Sequence, residues 1–240
     1  PFFAHVHLLW THGPSFYSPQ PVFSEKGQQK EPFERDFYDD AIRDMDGVLA
    51  KIAEALVSAN QLDRTIIVLS SDHGRRWDSG RIPLVFWFPG GAHAGRIRTN
   101  AQNLDVAPTL LDYLGIPKPE WMEGVSLLAG DPPAERPVFN TVANSGVVDF
   151  ETGLVDSSRS KPPFYSLGRL NATIGNRTFA LDLNTGNVAT GVVAGHTQPW
   201  GAGQGPSLAE AREILFRHLE ANGYEIPAAW RKTAGEAPRP

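Results

Sequence analysis

The stretch Thr65–Gly91, TIIVLSSDHGRRWDSGRIPLVFWFPGG, decides how this chain is read. Thr65 to Leu69 is β-branched and apolar. Ile82 to Phe88 is a second such run, closed by Pro89-Gly90-Gly91, and a short polar loop joins the two. The first run ends in Ser71-Asp72-His73-Gly74. A carboxylate oxygen and an imidazole nitrogen are both good ligands for divalent metals. Gly74 lets the backbone turn without a side chain blocking the site. In a parallel α/β sheet, ligands bind at the carboxyl ends of the strands, where Asp72 and His73 would sit. Taken alone, the triplet also fits a structural reading, in which Asp72 caps the next turn and His73 lies on the surface.

Outward from this stretch the pattern is strand and helix. Residues 2–10, FFAHVHLLW, form an apolar run bounded by Thr11-His12-Gly13-Pro14, which reads as a buried strand entering a loop. His5 and His7 alternate along it and share a face, either packed beneath a helix or acting as ligands. His12 stands at another strand end, placed to donate to an anionic oxygen or to act as a general acid, or else satisfied by backbone. Residues 13–34 read as a long loop. Ala41, Ile42, Met45, Val48, Leu49, Ile52 and Leu56 then mark an amphipathic helix over about 36–60, with Asn60 as a stop. Continuous apolar strands flanking a helix predict parallel pairing with both faces covered. Asn103 to Leu114 predicts a further helix, with Pro108 in its first turn and Gly115 at its end.

The texture changes near residue 130. Residues 137–142, 164–170, 171–174 and 178–183 predict short strands around Gly175-Asn176 and Thr185-Gly186-Asn187, hence a small antiparallel sheet. Residues 191–206 read as Gly-rich loop. Leu208 to Leu219 reads as a helix opened by a Ser207/Glu210 capping box, ahead of a frayed tail. The expected organisation is one α/β domain over 1–130 and a small α+β subdomain over 131–240.

A formal charge of −5 over 240 residues offers no electrostatic case for nucleic acid or an anionic membrane surface. Cysteine is absent, which excludes disulfides, thiolate zinc sites and a thiol nucleophile. No apolar run approaches the roughly 18 residues that span a membrane. The start, Pro1-Phe2-Phe3-Ala4-His5, has neither Met nor a basic leader, and a fragment or processed form of a longer chain is expected.

Five segments in order, PFFAHVHLLWTHGP, YDDAIRDMDGVLAKIAEAL, LDRTIIVLSSDHG, RIPLVFWFPGG and NLDVAPTLLDYLGIPKPEWMEGVSLL, resemble the C-terminal half of the sulfatase family, in the alkaline phosphatase superfamily. The resemblance covers residues 1–130 and extends over the rest, where that family has a small antiparallel sheet and a C-terminal helix. It implies an α/β fold with a sheet flanked by helices, and hydrolysis of a small sulfate or phosphate ester. By the resemblance, Asp72 and His73 bind one divalent metal, with calcium first and zinc or manganese as alternatives. His12 contacts the sulfate or phosphate group and helps the leaving oxygen depart. Arg75 or Arg76 stands where many sulfatases carry a sulfate-contacting lysine, although a planar fork differs from a point charge. Arg81, Pro83, Asp105, Pro108 and Thr109 match structural positions, and Tyr38 and Asp46 match a packing helix.

The chain also departs from the family pattern. It has no C/S-x-P-x-R motif, so the nucleophile and any formylglycine are expected only in a preceding N-terminal region, with the first metal aspartates. No histidine follows between residues 74 and 92, which weakens a two-metal reading. The resemblance therefore implies half a site: a sulfuric ester hydrolase as the parent, with this chain alone inactive. The alternatives are a phosphoryl or phosphoethanolamine transferase of the same superfamily and a non-catalytic binding domain. An exported or membrane-anchored parent and self-association through an uncovered sheet edge are further expectations.

Overall fold

The computed structural model describes residues 2–25, 28–75, 81–149, 152–193 and 205–232. The chain packs as two units, Pro1–Gly95 and Arg96–Pro240.

In the first unit, helix α1 spans Arg35–Ser58. It ends where the sequence expects. Asn60 takes a left-handed φ of 54°, its N–H donates to Val57 O at 2.9 Å, and Gln61 N–H reaches back to Leu56 O at 2.8 Å. Asn tolerates that conformation because its short side chain avoids the usual clash, and the two bonds satisfy carbonyls the helix leaves open. Strands β1 (Ile67–Ser70) and β2 (Leu84–Trp87) form a two-stranded sheet. Its pairing is antiparallel, Ile67 opposite Trp87 and Ser70 opposite Leu84, which corrects the parallel expectation. An antiparallel pair can be joined directly by a loop, whereas a parallel pair needs a crossover of about a dozen or more residues, usually a helix.

Residues 2–10 form no strand either. They run as exposed chain, with Phe3 89% accessible, because no neighbouring strand supplies ladder partners. The sheet is correspondingly half-buried, and Val85 and Trp87 remain 53% and 52% exposed.

The second unit carries the larger core. Four antiparallel strands, β3 (Val138–Ala143), β4 (Leu167–Ile174), β5 (Arg177–Asp182) and β6 (Val188–Val192), lie in that order. The two short strands expected over 164–174 merge into β4. Strand β6 begins ahead of the Gly-rich stretch and runs into it as far as Val192. Leu170, Ala172 and Ile174 alternate onto one face of β4, Phe179 and Leu181 do so on β5, and both rows bury against helix α3 (Leu208–Ala221) through Ala211, Leu215, Phe216 and Leu219. The predicted capping box opens α3: Glu210 N–H donates to Ser207 Oγ and Ser207 N–H to Glu210 Oε2. A short helix α4 (Ala228–Lys232) lays Trp230 over Gly186, whose φ of +76° and close approach to the indole both exclude a side chain.

Helix α2 (Val106–Tyr113) follows a 3-10 turn at Asn103–Asp105. Asp105 is fully buried, accepts from Val125 N–H at 2.9 Å and holds Arg136 bidentately at 2.7 and 3.0 Å. Arg98 N–H donates to Asp131 Oδ1 at 2.8 Å and Asn100 Nδ2 to Gly175 O at 2.8 Å. These bonds fasten residues 96–136 to the second unit, so the change of texture near residue 130 falls inside that unit. Asp105, Pro108 and Thr109 are structural, as read from the sequence.

Candidate functional site

The loop after residue 10 is folded tightly. His12 N–H closes a turn on Leu9 O at 3.0 Å. Gly13 is buried, and the Phe33 ring lies where a Cβ would stand, so only glycine fits there. Phe33 N–H donates to Pro14 O at 2.8 Å. The Gln29 amide spans the loop: its Oε1 accepts from Phe16 N–H at 2.8 Å and its Nε2 donates to Pro14 O at 2.8 Å. A proline-rich stretch that reads as open loop thus presents His12 on a defined turn.

The end of β1 supplies the facing groups. Ser71 Oγ donates to His73 O at 2.8 Å. His73 Nδ1 lies 2.7 Å from Gly74 O. A carbonyl only accepts, so Nδ1 carries the proton and the lone pair falls on Nε2. That nitrogen faces Asp72 Oδ2 at 3.8 Å, too far for a direct hydrogen bond. The imidazole is mostly covered, at 26% exposure, whereas the carboxylate is 73% exposed. The rings of His12 and His73 meet edge to face, centroids 5.7 Å apart and planes at 72°. Two loops far apart in sequence therefore converge.

Asp72 and His73 suit a divalent metal in two respects. A ring fixed through its other nitrogen by a carbonyl is the usual support for a metal-binding histidine. Donors held at about 2.0–2.2 Å by one ion stand roughly 3–3.5 Å apart, close to the spacing seen. They make only two donors, and among the described residues no group of three or more His, Cys, Asp or Glu is placed to hold an ion.

Arg75 follows directly. Its guanidinium lies over the Tyr38 ring, 5.8 Å from the centroid. Tyr38 packs on Phe16 at 5.1 Å, and Phe16 on Phe33 at 6.4 Å. Burial pushes the Tyr38 phenol above its ordinary value, partly offset by Arg75, with Asp39 adding to the rise. Arg76 lies outside the described residues. His5 and His7 share a face as expected, their rings parallel and 6.4 Å apart, but on exposed chain rather than beneath a helix. Pro83 directly precedes β2, and Asp46 is exposed on α1. Tyr38 is the residue that sequence reasoning left without a role. It opens the apolar stripe of α1, which signals packing but not its neighbour Arg75.

Comparison with known proteins gives a consistent picture. Residues 1–116 match the sulfatase family model. Human arylsulfatase K is 36% identical over 108 residues, covering 39% of this chain and 20% of that protein. Choline-sulfatase of Rhizobium meliloti (strain 1021) is 36% identical over 100 residues, covering 35% and 19%. The multifunctional alkaline phosphatase superfamily protein PehA of Trinickia caryophylli is 34% identical over 102 residues, covering 36% and 20%. The chain thus spans about one fifth of the length of these relatives. Among solved structures, the phosphonate monoester hydrolase of Silicibacter pomeroyi aligns with a TM-score of 0.53 at 20% identity, over 79% of this chain and 41% of that one. A protein solved with its substrate D-glucosamine-2-N,6-O-disulfate aligns at 0.51 and 18% identity, over 84% and 42%. At these identities the likeness shows the fold: α/β, with a four-stranded antiparallel sheet and helices beside a small two-stranded sheet.

Proposed function

We propose, for a chain whose residues 1–116 belong to the sulfatase family of the alkaline phosphatase superfamily, that its parent protein hydrolyses small sulfate esters at a divalent-metal site. The observation that carries this reading is the meeting of His12 and His73 at 5.7 Å on separate loops. Asp72 and His73 would hold the metal, which when bound neutralises charge on the oxygens of the reacting group. His12 protonates the ester oxygen as the S–O bond breaks, so that the alcohol leaves neutral. Arg75 offers a planar fork to the sulfate oxygens. The nucleophile and the remaining metal ligands come from sequence outside this chain. The imidazole donor favours manganese or zinc over calcium, which prefers an all-oxygen set.

Phosphate ester hydrolysis or phosphoryl transfer is the second reading, favoured by the similarity to PehA and by an imidazole ligand. Assays of the full-length protein on aryl sulfate and aryl phosphate separate the two. Sulfate turnover that is abolished by chelation, restored by one of calcium, manganese or zinc, and lowered about 10²–10⁴-fold in kcat by His12→Ala supports the proposal. Turnover unaffected by His12→Ala and Asp72→Ala together overturns it. The 240-residue chain alone is expected to bind metal weakly and to turn over neither ester. Its exposed β2 residues favour self-association, which sedimentation over a concentration series reads directly.

A further inference from the structure

We propose that Tyr38 is a positioning residue, whose ring holds the Arg75 guanidinium, two residues on from His73, as the anion-binding arm of the site. The inference rests on the reading above and gives Tyr38, which the family resemblance matches only to a packing helix, a part in the site.

Arg75 lacks, among the described residues, the partner a structural arginine usually has. It is half-buried, and among the described residues no carboxylate pairs with it; the ion pairs of Arg35, Arg136, Arg159 and Arg231 lie elsewhere. A partly desolvated guanidinium needs something in place of lost water. What it meets is the face of Tyr38, within the range of a cation–π contact. A guanidinium lying over a ring spends its face on that contact, and its in-plane N–H donors stay available. Those donors match a tetrahedral oxyanion bidentately. An arginine in a purely structural role would more commonly spend these donors on a carboxylate, as Arg136 does on Asp105.

Tyr38 is itself held. Its backbone is fixed in α1, and its ring packs edge-on against the buried Phe16. Phe16 packs against Phe33, and Phe33 fills the space over Gly13 beside His12. One row of three aromatic rings thus runs from beneath the His12 turn to the underside of Arg75. A displacement of Tyr38 would release Arg75 without touching His12, and a displacement of Phe33 would disturb the His12 turn. A tyrosine's ordinary pKa of about 10 already keeps the phenol neutral at physiological pH, and burial moves it further in that direction, so the contact is with a neutral ring.

Two measurements on the chain test this. The first is the side-chain NMR of Arg75. Its δ-CH2 and Nε–H protons should show an upfield ring-current shift in the unaltered chain, kept in Tyr38→Phe and lost in Tyr38→Leu. The absence of that shift in the unaltered chain overturns the contact whatever the variants do. The second is titration with inorganic sulfate at low ionic strength, followed through the imidazole resonances of His12 and His73. Arg75→Gln should weaken binding. Tyr38→Phe should keep the original affinity, and Tyr38→Leu should lose about two- to fivefold. Tyr38→Leu should add nothing in an Arg75→Gln background. Loss in Arg75→Gln with none in Tyr38→Leu overturns the role of Tyr38 and leaves the sulfate site standing. Indifference of sulfate binding to Arg75→Gln, or no saturable response at all, removes the anion site, and this inference with it.

Discussion

Asp40 is fully buried in α1 and accepts four hydrogen bonds: from the backbone N–H groups of Val22, Phe23 and Ser24 at 2.7, 3.0 and 2.9 Å, and from Ser24 Oγ at 2.6 Å. Burial alone would raise its pKa. The Ser24 hydroxyl and the three N–H groups outweigh that and hold the carboxyl well below the usual range. One side chain therefore ties the loop to the helix. Asp40→Asn keeps the shape but loses the charge and half the acceptor capacity, and should cost about 1–3 kcal/mol in urea unfolding at pH 7. Because the folded pKa is depressed, the contribution of Asp40 is complete above its unfolded value of about 3.9 and is lost as pH falls below it. The gap between the two proteins should narrow by pH 3, and a gap independent of pH would refute the assignment. Asp40 was illegible in the sequence because its partners lie in a stretch with no periodicity. The meeting of His12 and His73 joins two positions the sequence singled out: His73 follows a strand end, which is a local signal, whereas His12 follows exposed chain and not the strand its reading assumed. Tyr38 and Arg75 meet only in three dimensions, and no local pattern announces the pair.

At the scale of elements, the sequence located helix ends better than strands. Asn60 and Gly115, the two stops read from the sequence, take positive φ, as does Gly223, and each closes its helix with the same pair of backward hydrogen bonds. One residue type sets each stop, so it can be read directly. Residues 2–10 mislead because a strand is defined by its neighbour, and β6 is missed in the sequence because it lies between the Thr185-Gly186-Asn187 turn and a Gly-rich stretch that reads as loop. The packing of α3 on β3 carries a pH signature. The His218 ring stacks on Phe139 with centroids 3.7 Å apart and planes at 14°. Burial lowers its pKa, with Glu123 acting in the opposite direction. For a histidine with a depressed folded value, stability is complete above the unfolded value of about 6.5 and falls as pH drops below it. The melting temperature should decline from pH 7.5 to pH 5.5, and His218→Phe, which keeps the stack, should flatten that decline. An equal slope in both proteins would show that other groups set it.

At the scale of the whole molecule, the apolar burial is lopsided. Among the described residues, Phe16, Ala41 and Phe88 are the buried apolar side chains of the first unit, while the second packs a continuous cluster from Phe164 to Leu219. The first unit meanwhile exposes Phe2, Phe3, Val6, Leu9, Val85 and Trp87. Stability follows buried area, so the two units should open at different free energies. Phe179 is wholly buried in β5, and Phe179→Ala should cost about 3–5 kcal/mol. Phe86 is half-buried and stacks on Phe88 at 5.8 Å, so Phe86→Ala should cost about 1 kcal/mol, roughly half the value of full burial. Native-state hydrogen exchange gives the sharper contrast. Amides of β4 and β5, bonded on both sides within the four-stranded sheet, should exchange only through the largest opening. Those of β1 and β2 have one partner strand each and should exchange through a smaller one. The candidate site would then lie on the less protected unit: His73 follows β1, and His12 sits on a loop beside exposed chain. If β1 amides prove as protected as those of β5, the first unit is stable by itself, and its exposed apolar residues do not mark a surface that needs covering.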